Sequence, residues 1–438
     1  MISQVDPSPL TLPSDADGWR DWLVERCDDQ LAEARQLVNE LKAGGSRDPS
    51  DVLRQWNQVS LALSNAFSAS SVMSNVLPDE ALRTQAEAAM QEAQKLSTDR
   101  SLDHELFAIF AALDGRGLDA DAQRVLEHTL RDFRRAGVDR DEQTRQRLRD
   151  LAERETLVGQ EFSKNIRDDV RQVSLDPAQL AGLPDDYLAA HPTGDDGRVV
   201  ITTDYPDVYP LLSFAHDRAA RRELMLAFNN RAWPANDALL KELLALRAEH
   251  ALLLGYDGWP DYDAEIKMIG SGQAIGDFVD QIAAAAEKSG RRDRDTLFAR
   301  MRRDHPNADS IDRADSTYYA EVVRREDYEV DAQRVRIYFD HAKVRQGLLD
   351  VTGKLFGLTY TPVPDAPRWN EEVVAYDVES DGERIGRIYL DLHPREGKFK
   401  HAAQFSITSG VAGQQLAEGV LVCNFPRGLM EHGTCQPC

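Results

Sequence analysis

Residues 52–67 read V-L-R-Q-W-N-Q-V-S-L-A-L-S-N-A-F. Val52, Leu53, Trp56, Val59, Leu63 and Phe67 recur at three- and four-residue steps, the spacing of one face of an α-helix. Pro78 ends the run. The same step runs backward through Trp19, Trp22, Leu23, Leu31, Ala34, Leu37, Val38 and Leu41, where Gly44-Gly45 offers a stop. Forward, the spacing predicts a helix over 79–96. Another, with Ser101 as its cap, carries Leu102, Leu106, Ile109 and Phe110. A fifth carries Val125, Leu126, Thr129, Leu130 and Phe133, with Gly137 just past its end. Asp139 to about Val170 reads as one long helix whose i,i+4 charge pairs form a solvated face.

The character changes over 175–210, which holds five prolines, the Gly194-Asp-Asp-Gly197 turn and the β-like run Val199–Thr203. A boundary is placed there, giving an N-terminal helical region, 1–174, and a second region, 175–438. Helices are expected at 212–230, 236–254, 277–288, 291–303, 316–325, 331–339 and 343–356. Beyond Pro367 the period falls toward two. Strands are expected at 372–379, 387–392, 404–408 and 420–425, with Asp381-Gly382 as a tight turn. The fold class is mainly α: a large helical body with a small antiparallel β element near the C-terminus.

The 438 residues are 42% hydrophobic and 29% charged, an ordinary globular composition. With 75 acidic against 52 basic residues the net charge is −23, which disfavours nucleic acid and anionic lipid as partners. No basic leader and no apolar stretch of membrane length occurs, so the expected location is cytoplasmic. Four cysteines, Cys27, Cys423, Cys435 and Cys438, are too few for a disulfide framework. Cys435-Gln-Pro-Cys438 is a C-x-x-C, a candidate thiol or metal pair whose bland reading is an unstructured tail.

Several blocks carry a resemblance. Residues 387–403 read R-I-Y-L-D-L-H-P-R-E-G-K-F-K-H-A-A, and Leu429 to Thr434 read L-M-E-H-G-T. Tyr205-Pro-Asp-Val-Tyr-Pro-Leu-Leu212 precedes Arg221-Arg222, Phe228, Asn229 and Arg231. Leu246-Arg-Ala-Glu-His-Ala-Leu-Leu-Leu-Gly255 then leads to Tyr262 and Met268. Taken in chain order, they resemble the thimet oligopeptidase and oligopeptidase A-like family of zinc metallopeptidases, from about Tyr205 to Thr434. The residues also have local readings. Asp391 and Arg395 flank a His-Pro turn and are placed to pair across it, and Gly397 is expected at positive φ.

The resemblance implies a zincin-like peptidase fold acting on short intracellular peptides. Its zinc is held by H-E-x-x-H on a helix plus a later Glu, with the motif's Glu as general base. No H-E-x-x-H occurs in these residues, and none of the ten histidines has another four residues away. The expectation is therefore an incomplete catalytic domain over 175–438, without catalytic residues, without metal ligands and without stable zinc binding. His401, Ala402, Ala403 and Gln404 are the candidate substrate-binding residues, because small side chains beside a strand edge let a peptide backbone approach. Two alternatives stand: a non-catalytic module that binds peptides or a separate chain supplying the zinc half, and a thiol or metal site at the C-terminal cysteines. Helices left without packing partners are expected to expose apolar surface.

Overall fold

The computed structural model describes residues 11–13, 15–44 and 46–426. It contains two compact units. The first comprises the chain up to Ser163 with Ala238–Glu265 and Gly357–Val422, and the second comprises Lys164–Asp237 and Ile266–Phe356.

The first unit begins with α1 (Ala16–Leu23), a π-helical turn (Val24–Asp29) and α2 (Gln30–Lys42), all in one continuous run. Next comes α3 (Pro49–Val76). Asp48 caps it, its carboxylate accepting from Ser50 N and Asp51 N at 3.0 and 3.2 Å, and Pro49 takes the first turn, where its missing N–H costs nothing. The buried face of α3 is the expected stripe with one correction. Phe67 is exposed, and Ala62, Ala66 and Ala69 occupy the buried positions around it. Small side chains there let neighbouring helices approach.

Asp79 caps α4 (Glu80–Ser101). Ser101 is not the cap of the next helix: it ends α4, its hydroxyl donating to Thr98 O at 2.8 Å. Asp103 caps α5 (His104–Ala111), because a carboxylate reaches two N–H groups where the serine is already engaged. α6 (Ala120–Ala136) ends on Gly137 at φ 96°, as expected, and α7 (Glu142–Asp168) is the long charged helix.

The second unit opens with β1 (Gln172–Leu175), α8 (Asp185–Ala190) and β2 (Val199–Thr202), the two strands pairing antiparallel. The expected helix over 212–230 is two helices, α9 (Tyr205–Phe214) and α10 (Arg218–Asn229). They break where Asp217 caps α10 through Ala220 N at 2.7 Å. Arg221, fully buried, donates to Ala215 O and His216 O and so satisfies carbonyls left open at that break. Arg221 and Arg218 both reach the buried Asp315, at 3.1 and 2.7 Å.

The chain then enters the first unit for α11 (Ala235–Leu253), nearly all of which lies there, and α12 (Trp259–Ala264), before the second unit resumes with α13 (Gly272–Asp304), α14 (Arg313–Asp327), α15 (Ala332–Arg336) and α16 (His341–Phe356). α13 is one helix of 33 residues where two were expected, since Gly290 is accommodated inside it. Every residue of α13 from 275 to 296 is exposed.

The chain returns to the first unit as β3 (Leu358–Pro362), β4 (Val374–Ser380), β5 (Glu383–Asp391), β6 (Ala403–Thr408) and β7 (Ala417–Val422). Their order in the sheet is β3-β4-β5-β7-β6. All pairings are antiparallel except β5 with β7, so the sheet is mixed, and β3 adds a strand beyond those expected. Val373, Ala375, Tyr389, Ile407, Val420 and Val422 share one core with Trp19, Trp22, Leu31, Val59, Met73 and Leu82. The fold is mainly α, and its β element closes the N-terminal helical core.

Candidate peptide-binding edge

β6 is an edge strand, because β7 inserts between it and β5. One side of β6 pairs with β7, with Ala403 opposite Val422 and Gln404 opposite Leu421. His401, Ala402 and Gln404 are exposed and Ala403 is half-buried. The four candidate residues therefore form one continuous segment at the start of an edge strand. The aromatic rings beside them are ordered: Phe399 stands edge-on to His401 at 5.7 Å and to Phe405 at 5.5 Å. Gln404 lies close over Gly419 of β7, where a Cβ would come within 2.9 Å of its Nε2.

What holds this edge in place is the turn before it. The Asp391 carboxylate, buried, accepts from both terminal nitrogens of Arg395 at 2.7 Å and from Trp369 Nε1 at 2.8 Å. Lys398, fully buried, sets Nζ 2.8 Å from the same carboxylate and donates to the carbonyls of Asp391 and His393. Burial alone would raise the Asp391 carboxyl. The hydrogen bonds and charge of Arg395, then those of Lys398, outweigh it and hold the group below the usual carboxylate range. Each charge in this cluster has partners, as a buried ionic group requires.

The cluster also ties the turn to α3. Arg395 Nη2 donates to Val76 O and Phe399 N to Asn75 O, both carbonyls at the open end of that helix. Arg83 donates to Leu77 O and Pro78 O just beyond. Gly397 sits at φ 69° with the Arg83 guanidinium packed where a side chain would go. The expected Asp391–Arg395 pair and the positive φ of Gly397 are both present. Lys398 and Trp369 were not anticipated. Their partners lie seven and twenty-two residues from them, and no local pattern marks either.

Among the described residues no group of three or more His, Cys, Asp or Glu side chains is placed to hold a metal ion. His191 pairs with Asp207 at 3.1 Å and His250 with Glu155 at 3.0 Å, each a single-carboxylate contact within a packed region. His432 and the Cys435–Cys438 pair lie outside the described residues, as does the Leu429–Thr434 block. Among the described residues, no helix is long and apolar enough to cross a membrane.

Comparison with known proteins agrees with the sequence blocks. The sequence model of peptidase family M3 matches residues 211–436. The chain is 26% identical to saccharolysin of Saccharomyces cerevisiae over 384 residues, covering 81% of this chain and 54% of that protein. It is 25% identical to the thimet-like oligopeptidase of Dictyostelium discoideum, over 92% of this chain and 63% of that one. It is 26% identical to oligopeptidase A of Escherichia coli, over 96% of this chain and 65% of that protein. The chain thus spans about half to two thirds of the length of these relatives.

Proposed function

This chain belongs to peptidase family M3, and from that premise we propose that its 438 residues supply the peptide-holding side of an oligopeptidase, with β6 as the strand on which an extended peptide is laid. The observation that carries this reading is the position of Ala403 and Gln404 on β6, which pairs with β7 on one side and with no second strand among the described residues on the other. An edge presents unpaired N–H and C=O groups that a peptide main chain can complete, which favours extended peptides over folded proteins. Zinc chemistry needs donors. With no H-E-x-x-H in the sequence and no three-donor group among the described residues, the chain by itself is proposed to bind peptide without cleaving it. Cytoplasmic short peptides are the proposed ligands.

The test is fluorescence anisotropy of short labelled peptides with the purified chain. Successive N–H groups along a strand alternate in direction, so one of positions 404 and 405 points its N–H away from β7. Proline at that position is expected to leave the fold intact and to weaken peptide binding by about tenfold, the scale of a lost main-chain hydrogen bond. Chelator-sensitive hydrolysis by the chain alone would overturn the non-cleaving part of the reading. Peptide affinity unchanged by proline at both positions would overturn the edge.

A second reading is favoured by α13 and α16. Ile275, Phe278, Val279 and Ile282 form an exposed stripe on one, and Leu348, Val351 and Leu355 on the other. We propose that these stripes receive a polypeptide equivalent to the part of the relatives that this chain does not match. That segment, taken from a relative and co-expressed with this chain, is expected to form a stoichiometric complex. Phe278→Glu with Ile282→Glu is expected to abolish it; a complex that survives both changes counts against the reading.

A further inference from the structure

A crevice in the first unit, among α3, α4 and α6, has no part in the peptide edge. Its volume is about 350 Å³, and Trp56, Ser60, Ser97, Arg100 and Thr129 are among the residues lining it. Arg100 sets it apart. Its guanidinium carbon stands 4.8 Å from the centre of the Trp56 ring, and Nη1 donates to Ser60 Oγ at 3.3 Å. Among the described residues no carboxylate pairs with it. Arg100 is half-buried, and other enclosed arginines are satisfied differently: the buried Arg221 and the half-buried Arg395 each meet a buried carboxylate, and the buried Arg83 donates to backbone carbonyls. Burial pulls the Arg100 guanidinium down to about 10, so it stays cationic at neutral pH. A cation partly withdrawn from water without a counter-charge loses part of its hydration, and an anion entering the crevice offsets that loss.

The surroundings suit such a ligand. Ser97 and Thr129 line the crevice and each carries a hydroxyl, and Ser60 retains its own proton while accepting from Arg100. Ser101 also lines the space, but its proton goes to Thr98 O. Trp56 and Phe133, stacked at 5.7 Å, add an apolar surface. Asp132 is the one lining carboxylate; it is exposed and held by Arg131 at 2.8 Å. The net charge of −23 opposes the approach of anions, so recognition here rests on the local cation.

We propose that this crevice binds a small organic oxyanion, a carboxylate or phosphate group gripped by the Arg100 fork and the Ser60, Ser97 and Thr129 hydroxyls, with the ligand's apolar body against Trp56 and Phe133. A guanidinium matches either group through two parallel hydrogen bonds, which a lysine cannot do.

The test uses the whole chain. Sodium benzoate and inorganic phosphate are titrated at fixed ionic strength while the Trp56 indole resonance, assigned through Trp56→Phe, is followed by NMR. At least one anion is expected to shift it saturably, and the one that saturates lower assigns the group. Arg100→Met is expected to weaken that binding by about tenfold or more, with Arg100→Lys in between. Should circular dichroism show Arg100→Met unfolded, the Ser97→Ala, Thr129→Ala double variant carries the test and is expected to bind several-fold more weakly. Failure of both anions to saturate by about 50 mM, or an affinity unchanged in the folded variant, overturns the site.

Discussion

α3 and α13 are the two longest helices among the described residues, 28 and 33 residues, and their surroundings are opposite. Along α3, Val59, Ala66, Ala69, Val72, Met73 and Val76 are all fully buried. Along α13, Met301 near the end is the buried residue, while Phe278, Val279 and Ile282 are each more than half exposed. Both sequences carry apolar residues at helical spacing. The difference is in what covers them. α3 is covered by α2, α4 and β6, its carbonyls finished by Arg395 and Phe399. An amphipathic pattern therefore identifies a helix and a face that seeks a partner, but it does not say that the partner lies in the same chain.

The contrast can be broken by measurement. The largest effect is expected at the turn that finishes α3. Asp391→Ala leaves Lys398 and Arg395 buried without their carboxylate and should cost about 3–5 kcal/mol in denaturant unfolding of the first unit; a loss under about 1 kcal/mol would mean that the cluster does not anchor the sheet. The same carboxylate makes the unit acid-sensitive. Its stabilisation is present above the ordinary Asp value, about 3.9, and is lost as pH falls through the lower folded value.

Next in size is Met73→Ala, a cavity in the shared core, expected to cost about 2–5 kcal/mol. A neutral result would show that α3 is less tightly enclosed than its burial implies.

A smaller effect belongs to the second unit. Burial disfavours the His191 imidazolium, but the hydrogen bond and charge of Asp207 prevail and raise its pKa. Its contribution, about 1–2 kcal/mol, is fully present below the ordinary His value of about 6.5. It fades as pH rises through the folded value. His191→Gln should flatten that slope in stability-versus-pH curves, and an unchanged slope would assign it to another group.

The smallest effect is expected on α13. Phe278→Ser should change stability by less than about 0.5 kcal/mol, and amides over 275–296 should exchange faster than those over 62–76. Strong protection of α13 in the isolated chain would mean that its stripe is covered in solution.

Local chemistry decided how much could be read in advance. Helices were legible where a buried stripe repeats, and Gly137 and Gly397 were legible because their backbone angles suit few other residues. The Asp391–Arg395 pair was legible because four residues separate its members. The cap at Asp103 was missed in favour of Ser101, since both residue types cap well and only the fold tells which is engaged. β3 was missed because, although Leu358 and Tyr360 alternate with Thr359 and Thr361, the strand is five residues long and none of them is fully buried. The parallel pairing of β5 with β7 depends on a strand inserted between two others, which no single stretch encodes. Residues 401–404 are consecutive in the sequence; that Ala403 and Gln404 lie on an outer strand follows from that insertion.

Trp19 and Trp22 share their core with Val420 and Val422, contributed from the far side of the sequence. During synthesis those indoles leave the ribosome long before the strands that cover them exist. At about 5–20 residues per second the wait is some tens of seconds. Through that interval the amino-terminal helices wait with an apolar surface that the late strands have yet to cover.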